Sequence, residues 1–262
     1  MKKLLALILA CVMVMALAAC GGNDEPETTE APAESTAAPT TEATEAPTTE
    51  ATTAPTESVS KVMSHEEFIA APMDSEVTVE TYVQAMQGWY KDEAVVYCQS
   101  EDGGYLIYKL ACTEEQYNQL VPGTKIRVTG FKAEWSGEIE ITDAKNFEIL
   151  EGSYIAEPLD VTELMADEAK LLEHQNEKIA VKGLTVKEIN YKNDEPGDDI
   201  YLTLTLGDAD YNFCVERYLT GPETEVYTTV GALNVGDVVN VEAFLYWYEG
   251  ANPHITSISV MK

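Results

Sequence analysis

Positive charge is scarce in this chain. Its 262 residues hold 16 Lys and Arg against 46 Asp and Glu, a formal net charge of −30. Residues 1–57 contribute nine of the acids and two of the bases, leaving 37 and 14 in the rest, a net of −23. A groove that tracks a phosphate backbone is basic, so the composition predicts no nucleic-acid partner. Histidine is scarce too. His65, His174 and His254 are the three present, and none has a Ser, Cys or Asp at a suggestive spacing. The chain also lacks HExxH, GxSxG, a phosphate loop and a nucleotide fingerprint. These absences predict a non-catalytic protein with no cofactor and no resident metal. Five cysteines occur. Cys98, Cys112 and Cys214 are an odd number in the body of the chain, and none sits in a CxxC spacing, which excludes a disulfide framework and predicts buried thiols. A turn near Asp102-Gly103 sets Cys98 opposite about Ile107.

Long apolar runs are limited to one. Leu4 to Ala19 follows Lys2 and Lys3. A positive start and a short apolar core predict a secretory signal over 1–19, too short for a comfortable membrane span. The run ends Leu17-Ala18-Ala19-Cys20-Gly21, which resembles the lipobox of bacterial membrane-anchored lipoproteins. That resemblance implies cleavage before Cys20, a lipid on its thiol, and a chain held through that anchor on the extracytoplasmic face of the cell membrane. Residues 20–58 then lack aromatics entirely and consist mostly of Thr, Glu, Ala and Pro. Such a stretch cannot bury enough apolar surface to offset its ordering entropy, and it reads as an extended stalk.

What remains is rich in alternating strands. One β-unit occurs twice, as Leu120–Thr142 and Leu233–Thr256. In each copy a leucine precedes a glycine turn (Gly123, Gly236), an alternating strand follows (Ile126 and Val128; Val239 and Val241), and an aromatic tip precedes a closing strand. Two copies imply two related modules, over 59–152 and 153–262. Capping-box patterns at Ser64–Glu67 and Thr113–Gln116 predict short helices, the second of about two turns. Strands are predicted over 76–86, 94–99 and 105–110 ahead of the first repeat. The second module predicts a short helix over 161–165 and strands over 178–189, 200–206 and 211–217. The order β-β-β-α-β-β resembles the OB-fold, so the expected fold class is mainly β, with two tandem five-stranded OB-like barrels. Another small β-barrel or a β-sandwich is the alternative.

Aromatic placement gives the functional expectation. Trp89 and Tyr90 lie between strands one and two, and Trp135 between strands four and five. Tyr191, Tyr246 and Trp247 hold matching places in the second copy. In OB barrels these loops border the usual ligand face, and planar rings there suit stacking. The sequence therefore predicts an envelope binding module that contacts a glycan or a protein or peptide partner through these six residues. A structural spacer or assembly subunit is the alternative reading. The Asn193-Asp194-Glu195 and Asp198-Asp199 loop leaves room for Ca²⁺ as a lesser one.

Overall fold

The computed structural model describes residues 61–261. The signal segment, Cys20 and the stalk of the sequence reading lie outside these residues. The first element, α1 (His65–Ala70), begins as the capping box predicts. Ser64 Oγ accepts from Glu67 N, and the Glu67 carboxylate accepts from Ser64 N. The helix stops where Ala71 turns extended before Pro72. Lys132 then reaches under its end and donates to the carbonyls of Ile69 and Ala71 at 2.5 and 2.9 Å, supplying donors that a helix C-terminus lacks.

Five strands follow: β1 (Glu76–Met86), β2 (Glu93–Ser100), β3 (Gly103–Ala111), β4 (Thr124–Trp135) and β5 (Glu138–Ser153). One turn of helix, α2 (Glu114–Tyr117), bridges β3 and β4. The strands close a barrel in the order β1-β2-β3-β5-β4, with β3 and β5 parallel and the other pairs antiparallel. This is the OB-fold. Alternation fills its interior: Val77, Val79 and Val83 from β1, Val96 and Cys98 from β2, Ile107 from β3, Ile126 and Val128 from β4, and Ile141 from β5. Burying one such side chain contributes about 1.5–3 kcal/mol, and helix α1 adds Phe68 to the same core.

The second half repeats the plan. A two-residue strand, β6 (Leu159–Asp160), and a helix, α3 (Glu168–Leu172), precede β7 (Lys178–Tyr191), β8 (Ile200–Leu206) and β9 (Ala209–Val215). Helix α4 (Glu225–Gly231) leads to β10 (Val238–Phe244) and β11 (His254–Val260). The sheet runs β10-β11-β9-β8-β7, and β10 pairs back onto β7. The strand order therefore matches the first barrel, parallel contact included, because β11 meets β9 in parallel at His254 and Cys214. β6 adds an edge beside β7. Two OB barrels in tandem are thus present, as the repeated unit predicts.

Several local expectations shift. The β2–β3 turn is centred on Glu101-Asp102, so Cys98 faces Tyr105 and not Ile107. The Asp102 carboxylate accepts from His65 N at 2.9 Å and ties the turn to α1. Helix α2 makes one turn, not two, because Leu120 swings into the barrel core. The helix predicted over 161–165 is a 3-10 turn, Thr162–Leu164, with the Asp160 carboxylate accepting from Thr162 N and Oγ1. The third strand of the second barrel starts two residues earlier than predicted. Cys98, Cys112 and Cys214 are free and buried.

Candidate functional site: a cleft between the two barrels

The barrels meet along a seam built from residues that face outward on each. On β2, Ala94, Val96 and Cys98 point inward, which turns Val95 and Tyr97 out. Tyr97 stacks on Phe244 of β10 with ring centres 4.8 Å apart. Its hydroxyl lies 2.9 Å from His254 Nδ1. Burial pushes the His254 imidazole down to about 4, so the ring is neutral at physiological pH; Gln87 Nε2 donates to the hydroxyl oxygen at 3.3 Å, which leaves the hydroxyl proton for Nδ1. The other ring nitrogen, Nε2, then carries the proton.

Hairpin tips complete the seam. Between β4 and β5, Ser136 and Gly137 both have positive φ, 53° and 93°, as a two-residue type I′ turn requires. Trp247 sits directly over this turn, because a Cβ on Gly137 would stand 2.7 Å from its Cδ1. The neighbouring Glu138 is fully buried, and its Oε2 accepts from Trp247 N at 2.7 Å. Gln175 Nε2 donates to the Gly137 carbonyl at 2.8 Å, and Asn176 Nδ2 to that of Ile139 at 3.0 Å. Burial pushes the Glu138 carboxyl up to about 8.

Beside this seam opens a cavity of about 890 Å³. Its walls are equivalent faces of the two barrels. Val95, Tyr97, Leu106 and Tyr108 come from β2 and β3; Tyr201, Thr203, Asn212 and Cys214 come from β8 and β9. The rim adds Trp135 from the β4–β5 tip and Tyr246 and Tyr248 from the β10–β11 loop. Trp135 and Tyr248 lie 5.1 Å apart, and Tyr246 stacks on His254 at 4.2 Å. Four carboxyl residues line the cavity, Glu140, Asp199, Glu216 and Glu249, against one base, Lys192. Lys192 is engaged, with its Nζ 2.7 Å from Asp199. Burial pushes Glu216 up to about 7 and raises Glu140. The thiol of Cys214 is likewise pushed up by burial.

The structure divides the six aromatic residues singled out from the sequence. Trp135 and Tyr246 line the cavity. Trp247 is 5 % exposed and spent on the seam. Half-buried Trp89 packs on the first barrel's core and donates to the Cys112 carbonyl at 2.9 Å. Tyr90 is exposed away from the cavity, and Tyr191 packs on the core of the second barrel. Sequence reasoning missed Tyr97, Glu140, Tyr201, Glu216 and His254. A signal existed in β2, where apolar residues occupy inward and outward positions alike, as they do when both faces of a strand are covered. The acidic loop proposed for Ca²⁺ folds its Asp199 onto Lys192. Among the described residues no cluster of metal-ligating side chains forms.

No family model matches this chain, and no curated protein matches it. Solved structures do. The HIN2 domain of tetrameric p202 is 11% identical, with 73% of this chain and 96% of that one covered at a TM-score of 0.32. A murine DNA-binding protein bound to double-stranded DNA is 10% identical, with 71% and 95% covered and a TM-score of 0.35. A replication protein A heterotrimer bound to single-stranded DNA is 14% identical, with 73% and 50% covered and a TM-score of 0.32. The likeness is one of fold. Two of these three neighbours are described as DNA complexes and none as a glycan or peptide complex. That finding corrects two expectations, a glycan or protein ligand and the exclusion of nucleic acid. Of the aromatic loops, the Trp135 and Trp247 tips pack on one another across the seam, while Trp135 and Tyr246 also line the cavity.

Proposed function

We propose that this protein binds a small molecule in the cleft between its two barrels. The observation that carries the reading is that the strand-two and strand-three faces of both barrels, where OB folds take their ligands, line one cavity of about 890 Å³. Pockets of this size with aromatic walls and a few convergent polar groups are the usual form of a ligand site. Binding fits better than turnover. The thiol lining the cleft is held protonated by burial, and His254 spends Nδ1 on Tyr97, leaving no activated nucleophile along the walls. The lipobox-like Leu17–Cys20 supports a chain anchored through Cys20 to the outer face of a bacterial membrane.

A cleft-filling variant tests the reading. Thr203 is half-buried on the cavity wall, and Thr203→Trp projects an indole into the space and obstructs it. Compounds from a screen of amines, carboxylates and nucleosides that raise the melting temperature of the native chain should lose their effect on Thr203→Trp. Stabilisation that survives in the filled variant sinks the reading. Single-stranded oligo-dT belongs in the same screen, because Tyr108 and Tyr201 stand on the faces where OB barrels stack bases. A shift with oligo-dT that is lost in Thr203→Trp would favour a nucleic-acid strand as the cleft's occupant.

A further inference from the structure

Glu140 is a feature of the cleft that the protein leaves unfinished. It stands on β5 opposite Ala133 of β4 and beside Leu106 of β3, and it is 7 % exposed. Its carboxyl makes no hydrogen bond and no ion pair with any described residue. Buried carboxylates are ordinarily paired or hydrogen-bonded, because an ion moved out of water without a partner is costly. Here the usual partners are all committed elsewhere. Lys192, the single base of the cavity wall, is held by Asp199 at 2.7 Å. Asn176 and Gln175 serve the neighbouring Glu138 hairpin. Yet Glu140 is not sealed in, since it lines the cavity. Aromatic residues line the same cavity: Tyr246, and the Trp135–Tyr248 pair at the rim. A carboxylate without a partner, within aromatic walls, matches a positively charged organic group. The carboxylate supplies the ion pair, and the rings supply cation–π contact within about 6 Å.

We propose that the cleft takes a small organic cation, with its ammonium seated on Glu140 and walled by Tyr246, Trp135 and Tyr248. This rests on the cleft being the ligand site. His254 adds one requirement. It is 6 % exposed, lines the cavity and has no described partner for Nε2–H, so an occupant with a hydrogen-bond acceptor satisfies it.

The test is calorimetry on the full-length chain with a graded series from methylammonium to benzylammonium, each paired with its neutral alcohol of equal size. Benzylammonium should bind at least tenfold more tightly than benzyl alcohol. Glu140→Gln, which keeps the shape and removes the charge, should abolish that preference. Glu140→Asp retains the charge and should keep the preference at weaker affinity, which separates a lost ion pair from a disturbed wall. Glu163→Gln removes an exposed acid elsewhere and should change nothing, which separates the seat from the overall acidic field. Equal binding of amine and alcohol, lost in Thr203→Trp, would leave the cleft a ligand site and overturn the cation. An undiminished preference in Glu140→Gln would overturn Glu140 as its seat. Amine binding that Thr203→Trp does not affect would overturn the cleft itself, and no binding by any amine would overturn the proposal.

Discussion

Glu138 and Glu140 stand two residues apart on one strand and do different work. Glu138 is sealed under the seam, facing Trp247 N, Gln175, Asn176 and the charge of Glu140. Burial moves its carboxyl from an ordinary 4.5 to about 8. Between these values the unfolded chain releases a proton that the folded chain keeps, so stability falls as pH rises through that window. The loss is on the order of 5 kcal/mol, at about 1.4 kcal/mol per pKa unit. Glu138→Gln has no proton to lose and retains an acceptor for Trp247 N. Urea unfolding should therefore show the variant more stable than the native chain at pH 8.5, and the two similar near pH 5. A native-like decline in Glu138→Gln would mean that another group carries the alkaline loss. Glu140 reaches the cavity instead, which is why its missing partner is a matter of ligand and not of fold.

At the scale of elements, the β4–β5 hairpin does most to join the barrels. Its I′ tip brings Gly137 under Trp247, and its first strand residue, Glu138, caps the Trp247 amide. A methyl group on Gly137 meets two costs. Its φ of 93° lies where side chains are strained, and the new carbon would sit 2.7 Å from Trp247 Cδ1. Gly137→Ala should lower stability by about 2 kcal/mol and make Trp247 more accessible to acrylamide. Unchanged stability and quenching would mean that the tip does not seat on Trp247. The helices were legible at this scale because capping is local. Ser64–Glu67 and Thr113–Gln116 form the boxes that their residue types specify. Helix α3 was not legible. Its cap, Asp167, accepts from Lys170 N, but one buried residue, Leu171, holds the helix down, too little for a periodic signal.

Across the whole molecule, two barrels of the same strand order share one cavity, walled by strands two and three of each. The acidic balance of 37 acids to 14 bases in residues 58–262 describes the surface as a whole. Within the cavity the balance is local, four carboxyl residues to one committed base. The address at the other end of the chain makes its own prediction. Cys20→Ser removes the thiol that the lipobox-like motif would modify, and the protein should then leave the membrane fraction after cell lysis. Retention in that fraction would remove the anchor.

The sequence by itself determined the barrels. Alternation with period two, Gly turns at Gly123 and Gly236 and the repeated β4–β5 unit are all short-range patterns, and short-range patterns specify strands and their order. Only the tertiary structure decided the site. Tyr97, Glu140, Tyr201 and His254 look like ordinary strand residues in sequence, because whether an outward-facing side chain meets water or a second barrel depends on docking across more than 100 residues, as between Glu138 and Trp247. The same docking turned Trp247 from a candidate contact into a buried strut. It also left Glu140 buried on the cavity wall.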